Sequence, residues 1–224
     1  MQSSFTAGAD AGAPVEAIRL HIILRDIPAG AIVQEGALAD SLGLSRTPIR
    51  EALSVLAGEG VLAYERNRGY RTPLYAVQDM RDFFDAAGAL YPAVFSTAAR
   101  RRLGEDLAAM SKTLEAAAAL DRLDDYRERV GLYRCFMLGV ARASRNRFHL
   151  TAMRGLVDAH VMLRIDFASA ADDETRRAEM HRNLAVYRQI LDVIESGDAE
   201  AAATLARDRL KASREFIMGE ILGE

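Results

Sequence analysis

The sequence predicts a mainly α-helical protein, with a helix-turn-helix and a β-hairpin in the first 74 residues and a bundle of about six helices after them. Three observations predict this fold. The segment Gly43–Leu53 carries the signals of one helix ending and another beginning. Residues 60–72 alternate in polarity on either side of a short turn, as hairpin strands do. From Gln78 onward, apolar residues recur at helical spacing.

The helix that follows Gly43 is the best-marked element of the chain. Glycine is frequent just past a helix C terminus, and Ser45 is a good N-cap for the next helix. Pro48 falls in the first turn, where a helix does not use the missing N–H. The apolar residues that follow at helical spacing are Ile49, Leu53, Leu56 and Ala57. We expect that face to pack inward.

The opposite face of this helix carries Arg46, Thr47 and Arg50 close to its start. Two interpretations are open: a capped surface helix with solvated arginines, or a helix that enters the major groove of DNA. In a groove, arginine can bind a guanine edge with two hydrogen bonds, while a hydroxyl and the helix N terminus can bind phosphates.

The surrounding elements favour the second interpretation. An amphipathic segment covers about residues 14–26, and Pro28–Gly30 forms a turn before a second short helix that ends at Gly43. Downstream, residues 60–65 predict a strand, Arg66–Gly69 a turn, and residues 70–72 the returning strand. This order predicts a helix-turn-helix followed by a hairpin wing.

These motifs resemble the winged helix-turn-helix of GntR-family transcription regulators. The resemblance covers about residues 14–74 and rests on these segments: Ile27-Pro28-Ala29-Gly30, Leu38-Ala39, Leu42-Gly43, Ser45 through Leu53, Glu59-Gly60 and Asn67-Arg68-Gly69. It implies that the partner is a double-stranded DNA operator. The DNA-binding residues that it implies are Ser45, Arg46, Thr47, Arg50, Arg66, Asn67, Arg68 and Gly69. Gly36-Ala37 departs from the family, which usually has a polar or basic residue and then an acid there, so one DNA contact would be missing.

Charge and composition restrict the function further. The net charge of the chain is −3, but residues 45–75 hold five arginines against three glutamates, which makes a local basic patch. The single cysteine, Cys135, excludes an intrachain disulfide and suits a reducing cytoplasm. No apolar run approaches the length of a membrane span. No nucleophile–base–acid set and no phosphate loop is present, so the sequence predicts that the protein is not an enzyme.

The sequence predicts three segments: a flexible tail at 1–13, the winged domain at 14–74, and an all-helical effector-binding and dimerisation domain at 75–224. The tail lacks the basic and apolar regions of a secretory signal. In the third segment, helix-start and helix-stop residues predict helices at about 78–102, 105–120, 123–143, 147–169, 173–196 and 198–222.

Two stretches of the helical segment resemble the FCD-type sensing domain of the FadR subfamily: Phe136 through Asn146, and Tyr187 through Ala202. That resemblance implies a small-molecule effector. Many members of the subfamily also hold a divalent metal through one Asp and three His. The corresponding residues here are Tyr133, Met137, Tyr187 and Arg209, and none is a ligand of the expected kind. His21, His149, His160 and His181 do not fall at those places. We therefore expect neither a metal nor another cofactor.

The replacements predict a different kind of pocket. Arg209 lies in register with the apolar face of the last predicted helix. Two interpretations are open. In the first, Arg209 pairs with an acid in the core or lies at a helix boundary with its guanidinium in solvent. In the second, Arg209 binds the carboxylate or phosphate of an effector. Under the second interpretation, Tyr133, Met137 and Tyr187 line the pocket and Asn183 adds a hydrogen bond. Tyr91, where relatives often carry a Glu, would make the pocket more aromatic.

The leading hypothesis is therefore a cytoplasmic, ligand-responsive repressor. It would bind a pseudo-palindromic operator as a homodimer and respond to a small anion with apolar surface. An alternative stays open, a DNA-binding dimer whose helical domain binds no effector.

Overall fold

The computed structural model of the chain describes residues 13–120 and 122–222. Contacts divide the chain into two compact units, Met1–Leu74 and Tyr75–Glu224. Except for Ala13, the predicted tail at 1–13 lies outside the described residues. The mainly helical fold that the sequence predicts is confirmed.

In the first unit, the described residues form three helices and one hairpin: α1 (Ala13–Ile23), α2 (Glu35–Leu42), α3 (Arg46–Gly58), β1 (Ala63–Glu65) and β2 (Gly69–Arg71). Its core forms where α1 packs on α3. The fully buried side chains there include Ile18, Ile22, Ile49, Leu53 and Leu56. Burying these side chains is the main favourable term for a unit of this size.

The turn between α2 and α3 depends on Gly43, whose φ of 64° lies in the left-handed region. This conformation ends α2 and lets the Leu44 N–H donate to the carbonyl of Ala39 at 3.0 Å. Ser45 takes the N-cap position of α3 with extended backbone, but its side chain makes no capping hydrogen bond. Ala52 is buried on the inward face, whereas Ala57 is only half-buried.

The hairpin pairs Tyr64 with Tyr70, and residues 66–68 connect its two strands. Its base is fixed to the segment between α1 and α2. There Ile32 and Arg71 form an isolated β-bridge, and the Val33 N–H donates to the Tyr70 carbonyl at 2.8 Å. The two strands are three residues long, so these extra bonds hold the hairpin on the unit.

The second unit is a bundle of six long helices, as the sequence predicts: α4 (Val77–Arg101), α5 (Gly104–Ala118), α6 (Tyr126–Ala143), α7 (Arg147–Ala170), α8 (Asp173–Ser196) and α9 (Ala199–Leu222). A short 3₁₀ turn at Leu123–Asp125 precedes α6. Asn146 and Asp172 cap α7 and α8 through their side chains, and Gly197 ends α8 with a φ of 80°.

Helix α4 is central to the bundle, because it packs against α6, α7, α8 and α9. The core that these helices share includes Phe95, Phe136, Met153, Ile190 and Ile194, all fully buried. Among the described residues, no helix is long and apolar enough to cross a membrane.

Candidate nucleic-acid interface and buried arginine site

The start of α3 presents polar side chains to solvent. Ser45, Arg46, Thr47 and Arg50 are all exposed, while Ile49 between them is fully buried. The unpaired N–H groups and the dipole of the helix N terminus add positive potential at the same place. This surface can therefore bind anions with side chains and backbone together.

The two arginines of this surface, Arg46 and Arg50, differ in their hydrogen-bond and ion-pair partners. Arg50 donates from Nε to Oε2 of Glu35 in α2 at 2.7 Å, and this hydrogen bond, together with the charge of Glu35, raises the pKa of the guanidinium above its ordinary value. Arg46 makes no ion pair or hydrogen bond with any residue that the structure describes. A Cβ atom on Gly36 would lie 3.7 Å from Nη2 of Arg46, so the guanidinium of Arg46 lies over Gly36.

The tip of the hairpin forms a second exposed group. Arg66, Asn67 and Arg68 are exposed, and Asn67 has a φ of 66°, a left-handed conformation that asparagine tolerates. Nη1 of Arg68 lies 3.7 Å from Oε2 of Glu65. Gly69, also predicted to contact DNA, begins β2 and has a φ of 86°.

Arg71, unlike the exposed arginines of the hairpin tip, forms bonds that stabilise the hairpin. Its Nε donates to Oε1 of Glu65 at 2.6 Å and its Nη1 donates to the carbonyl of Gly30. The first of these bonds is the main reason why the pKa of Glu65 is lowered. Arg71, one of the five arginines in the predicted basic patch, therefore stabilises the base of the hairpin.

In the bundle, the structure brings three of the predicted effector-binding residues into contact. The rings of Tyr133 and Tyr187 are stacked with centroids 4.3 Å apart. Cζ of Arg209 lies 4.4 Å from the centroid of the Tyr187 ring, so the cation lies on an aromatic face. Arg209 is 8% exposed, and none of its three guanidinium nitrogens has a hydrogen-bond partner among the described residues.

Two spaces lie next to this cluster. A cavity of about 150 Å³ has these residues on its wall: Arg164, Glu179, Arg182, Asn183, Val186, Arg209, Ala212, Ser213 and Phe216. We call it the outer cavity. A second space of about 10 Å³, the inner void, is lined by Tyr133, Met137 and Tyr187 with His160 and Arg164. The inner void has room for about one water molecule. Tyr91 is buried and borders neither space.

Sequence reasoning missed the buried ion pair on the wall of the outer cavity. Nη2 of Arg164 lies 2.9 Å from Oε1 of Glu179, and the hydroxyl of Tyr126 donates to Oε2 of Glu179 at 2.9 Å. Arg164 also donates to the side-chain oxygen of Asn183 at 3.1 Å, so part of the amide of Asn183 is already used. Helical spacing from Val157 through Arg164 would have placed Arg164 inward.

Burial changes the titration of the groups around the inner void. It raises the pKa of Tyr133 to about 12, so its phenol stays protonated and can donate. Burial, followed by the charges of Arg164 and Arg209, holds the pKa of His160 well below its ordinary value. His160 is therefore neutral, and its Nε2 has no hydrogen-bond partner in the described part of the chain.

The residues at the four family metal positions do not fit a metal ion. Tyr133 and Tyr187 are phenols packed ring on ring, Met137 is a thioether, and Arg209 carries a guanidinium. In the ranges that the structure describes, no three His, Cys, Asp or Glu side chains are grouped so that they could hold a metal. That this protein uses no metal remains a prediction.

Comparison with known proteins identifies the two units. Residues 14–71 match the bacterial regulatory proteins of the gntR family, and residues 82–212 match the FCD domain. The chain belongs to the GntR family of transcription regulators. Its second unit is an FCD domain, as in FadR-like members of the family. The prediction that the protein is a regulator and not an enzyme is confirmed, because the family and the relatives below are transcription regulators.

Two relatives are named repressors. The "Probable D-xylose utilization operon transcriptional repressor" of Paenarthrobacter nicotinovorans is 30% identical over 185 residues, which are 83% of this chain and 78% of that protein. The gluconate operon transcriptional repressor of Bacillus licheniformis is 33% identical over 98 residues, 44% of this chain and 40% of that one. The solved structure of McbR/YncC from E. coli has the same fold, with a TM-score of 0.79 and 17% identity over 94% of this chain and 98% of that chain.

Proposed function

We propose that this GntR-family regulator is a repressor that binds a pseudo-palindromic operator as a homodimer and responds to a small anionic metabolite. The observation that carries the proposal is the exposed positive surface at the start of α3, where Arg46 has no partner among the described residues. In the major groove, Arg46 and Arg50 would bind base edges, and Thr47 and Ser45 would bind phosphates.

The hairpin supports the same mode of binding. Arg66, Asn67 and Arg68 form its exposed tip, and Arg66 has no ion pair within the described ranges. Phosphate contacts from such side chains supply sequence-independent affinity that falls as salt rises. One winged domain makes few base contacts, so two copies on a two-fold symmetric operator would double the specific contacts.

Arg209 supports the effector part of the proposal. A buried guanidinium without an acid partner is costly, and an anion bound beside it would remove that cost. The two relatives above are named for D-xylose and gluconate operons, and gluconate is a carboxylate. An effector changes operator affinity only by binding the two states of the regulator differently.

Selection of binding sites from random duplex DNA with the full-length protein tests the DNA part. We expect an enriched, two-fold symmetric site that is bound at least about 1,000-fold more tightly than random duplex. The effector part is tested by adding carboxylates, sugar acids and acyl conjugates to the protein–operator complex in a gel shift. We expect one of these compounds to release the operator from the parent protein but not from the Arg209→Met variant. Failure to enrich any site would overturn the proposal.

The alternative, a DNA-binding dimer whose helical domain binds no effector, is favoured by one observation. The space lined by Tyr133, Met137 and Tyr187 is only about 10 Å³, too small for a metabolite. In the experiment above, this alternative predicts an enriched operator that no compound releases.

The Glu35–Arg50 pair makes a separate prediction. Replacing Glu35 with Gln removes a negative charge from the surface and frees Arg50 from its acid partner. We expect affinity for random duplex DNA to rise about 2- to 5-fold at low salt and discrimination between operator and random DNA to fall, because Arg50 loses the group that orients it. Fluorescence anisotropy against both DNAs measures the two effects. Glu105→Gln, which neutralises an exposed acid of α5, is the control and should change neither affinity.

A further inference from the structure

The chain that leaves the hairpin is bonded to the segment that follows α1. The side-chain oxygen of Thr72 donates to the carbonyl of Pro28 and accepts from the N–H of Ala31 at 3.1 Å. The Thr72 N–H donates to the carbonyl of Ala31 at 3.0 Å. Arg25, only 5% exposed, donates from Nη1 to the carbonyl of Pro73 at 3.0 Å. The folded part of the first unit therefore continues as far as Pro73.

The second unit begins almost immediately. Ala76 takes the N-cap position of α4, and its N–H donates to Oδ2 of Asp79 at 2.7 Å. A bond of this kind fixes the start of a helix. Phe83 and Phe84, about two turns into α4, are buried in the core of the bundle. Helix α4 is therefore held by a cap at its first residue and by packing soon after.

Leu74 and Tyr75 are the two residues between these anchors, and we call them the tether. Leu74 is 74% exposed. Three peptide units separate the Cα atoms of Pro73 and Ala76, so these two atoms lie at most about 11 Å apart whatever torsion angles the tether adopts. A chain this short restricts both the distance and the relative orientation of the groups at its ends.

This restriction matters for a dimer on a two-fold symmetric operator. Two extra base pairs between the half-sites move one half-site by about 7 Å along the DNA axis and turn it by about 70° around that axis. A winged domain that follows its half-site must make the corresponding movement relative to its bundle. A long flexible linker absorbs such a movement, whereas three peptide units leave little freedom for it.

We propose that the tether of Leu74 and Tyr75 makes this regulator selective for one spacing between half-sites, with Arg25 as the positioning residue that fixes the upstream end of the tether. Without the bond from Arg25, the carbonyl of Pro73 is released and the tether becomes longer. This inference rests on the proposed function, because only a dimer on a symmetric operator has a half-site spacing. It adds a determinant of specificity that lies apart from the side chains proposed to contact DNA.

Gel-shift titrations of the full-length protein test the inference, with the selected operator lengthened or shortened between its half-sites in steps of one base pair. For the parent, a change of two base pairs should reduce affinity at least about 10-fold, because the second half-site then adds less avidity. Six inserted residues, Gly-Ser-Gly-Ser-Gly-Ser, between Leu74 and Tyr75 add about 20 Å of reach. In that variant, the same change should cost less than about 3-fold.

The matched control carries the same six residues directly after Ala119, an exposed residue at the end of α5. This insertion leaves the tether unchanged, so the control should show the dependence on spacing of the parent. Circular dichroism checks that both insertion variants are folded.

Two substitutions test Arg25. Arg25→Met removes the donor to Pro73, so its dependence on spacing should lie between those of the parent and of the tether insertion. Arg25→Lys keeps a donor on a side chain of similar length and should retain the dependence of the parent. A merely structural role of Arg25 would lower the affinity for all spacings alike, which the same titrations would show.

The outcomes separate this inference from the proposed function. If no symmetric site is enriched from random DNA, the proposed function fails and the inference fails with it. If an operator is enriched but the parent tolerates changes of two base pairs, or the tether insertion keeps the selectivity of the parent, the inference is overturned and the DNA-binding regulator stands. If only Arg25→Met behaves as the parent does, the role of Arg25 is overturned.

Discussion

Arg46→Ala is expected to reduce affinity for the selected operator by about 30-fold or more. Arg46 is the exposed arginine at the start of α3 that has no partner among the described residues, so its guanidinium is available for a base edge. Loss of one such contact costs about 1–3 kcal/mol of discrimination, and a symmetric dimer loses it twice. The measurement is a gel-shift titration against the operator and against versions of it with single base changes.

The design of that titration separates base reading from phosphate binding. Arg46→Ala should relax the preference at one base pair in each half-site, with little change in affinity for random DNA. Arg66→Ala, at the hairpin tip, should weaken binding to all sequences alike and reduce the dependence of binding on salt. Arg207→Ala, on the exposed face of α9, is the control that should change neither. An Arg46→Ala protein with unchanged base preference would contradict the proposed role.

Asp158→Ala should strongly destabilise the helical bundle. Oδ1 of Asp158 accepts from Nε of Arg134 at 2.6 Å, and the two side chains are 1% and 3% exposed. Removing the acid leaves a buried guanidinium without this carboxylate, which costs about 3–5 kcal/mol. For a domain of this size, the Tm should fall by about 10 °C, measured by calorimetry or circular dichroism.

An exposed pair of the same chemistry is the matched control. Asp85 and Arg214 lie 3.5 Å apart, with side chains 72% and 49% exposed, so Asp85→Ala should cost between 0 and about 1 kcal/mol. If Asp158→Ala does not fold, the double change Asp158→Leu with Arg134→Met should restore a folded protein, because it removes both buried charges. Equal losses of stability for Asp158→Ala and Asp85→Ala would contradict the prediction.

The sequence predicts the helices well because their ends carry local signals. Asn146, Asp172 and Gly197 mark boundaries of α7, α8 and α9 that agree with the prediction to within one or two residues. The start of α3 is predicted in the same way, from Gly43 and Pro48. The family follows from the same motifs, because these residues have fixed positions in the fold.

The sequence does not predict which long side chains meet. Helical spacing shows the face on which a residue lies, but it does not choose a partner on another helix. The pairs Arg164–Glu179 and Arg134–Asp158 join residues that are 15 and 24 positions apart, and both depend on how α6, α7 and α8 pack. The spacing places Arg209 inward, yet only the structure shows that it lies on Tyr187 without an acid among the described residues.

The fixed base of the hairpin has a consequence for how related regulators diverge. Arg71 and the Ile32 bridge hold the base of the strands, and the residues from Arg66 to Arg68 extend beyond this base. Under the proposed mode of DNA binding, substitution of these three residues would alter contacts with the sequence flanking a half-site and leave the side chains at the start of α3 unchanged. Preference for the flanking sequence and recognition of the centre would then be separable by substitution.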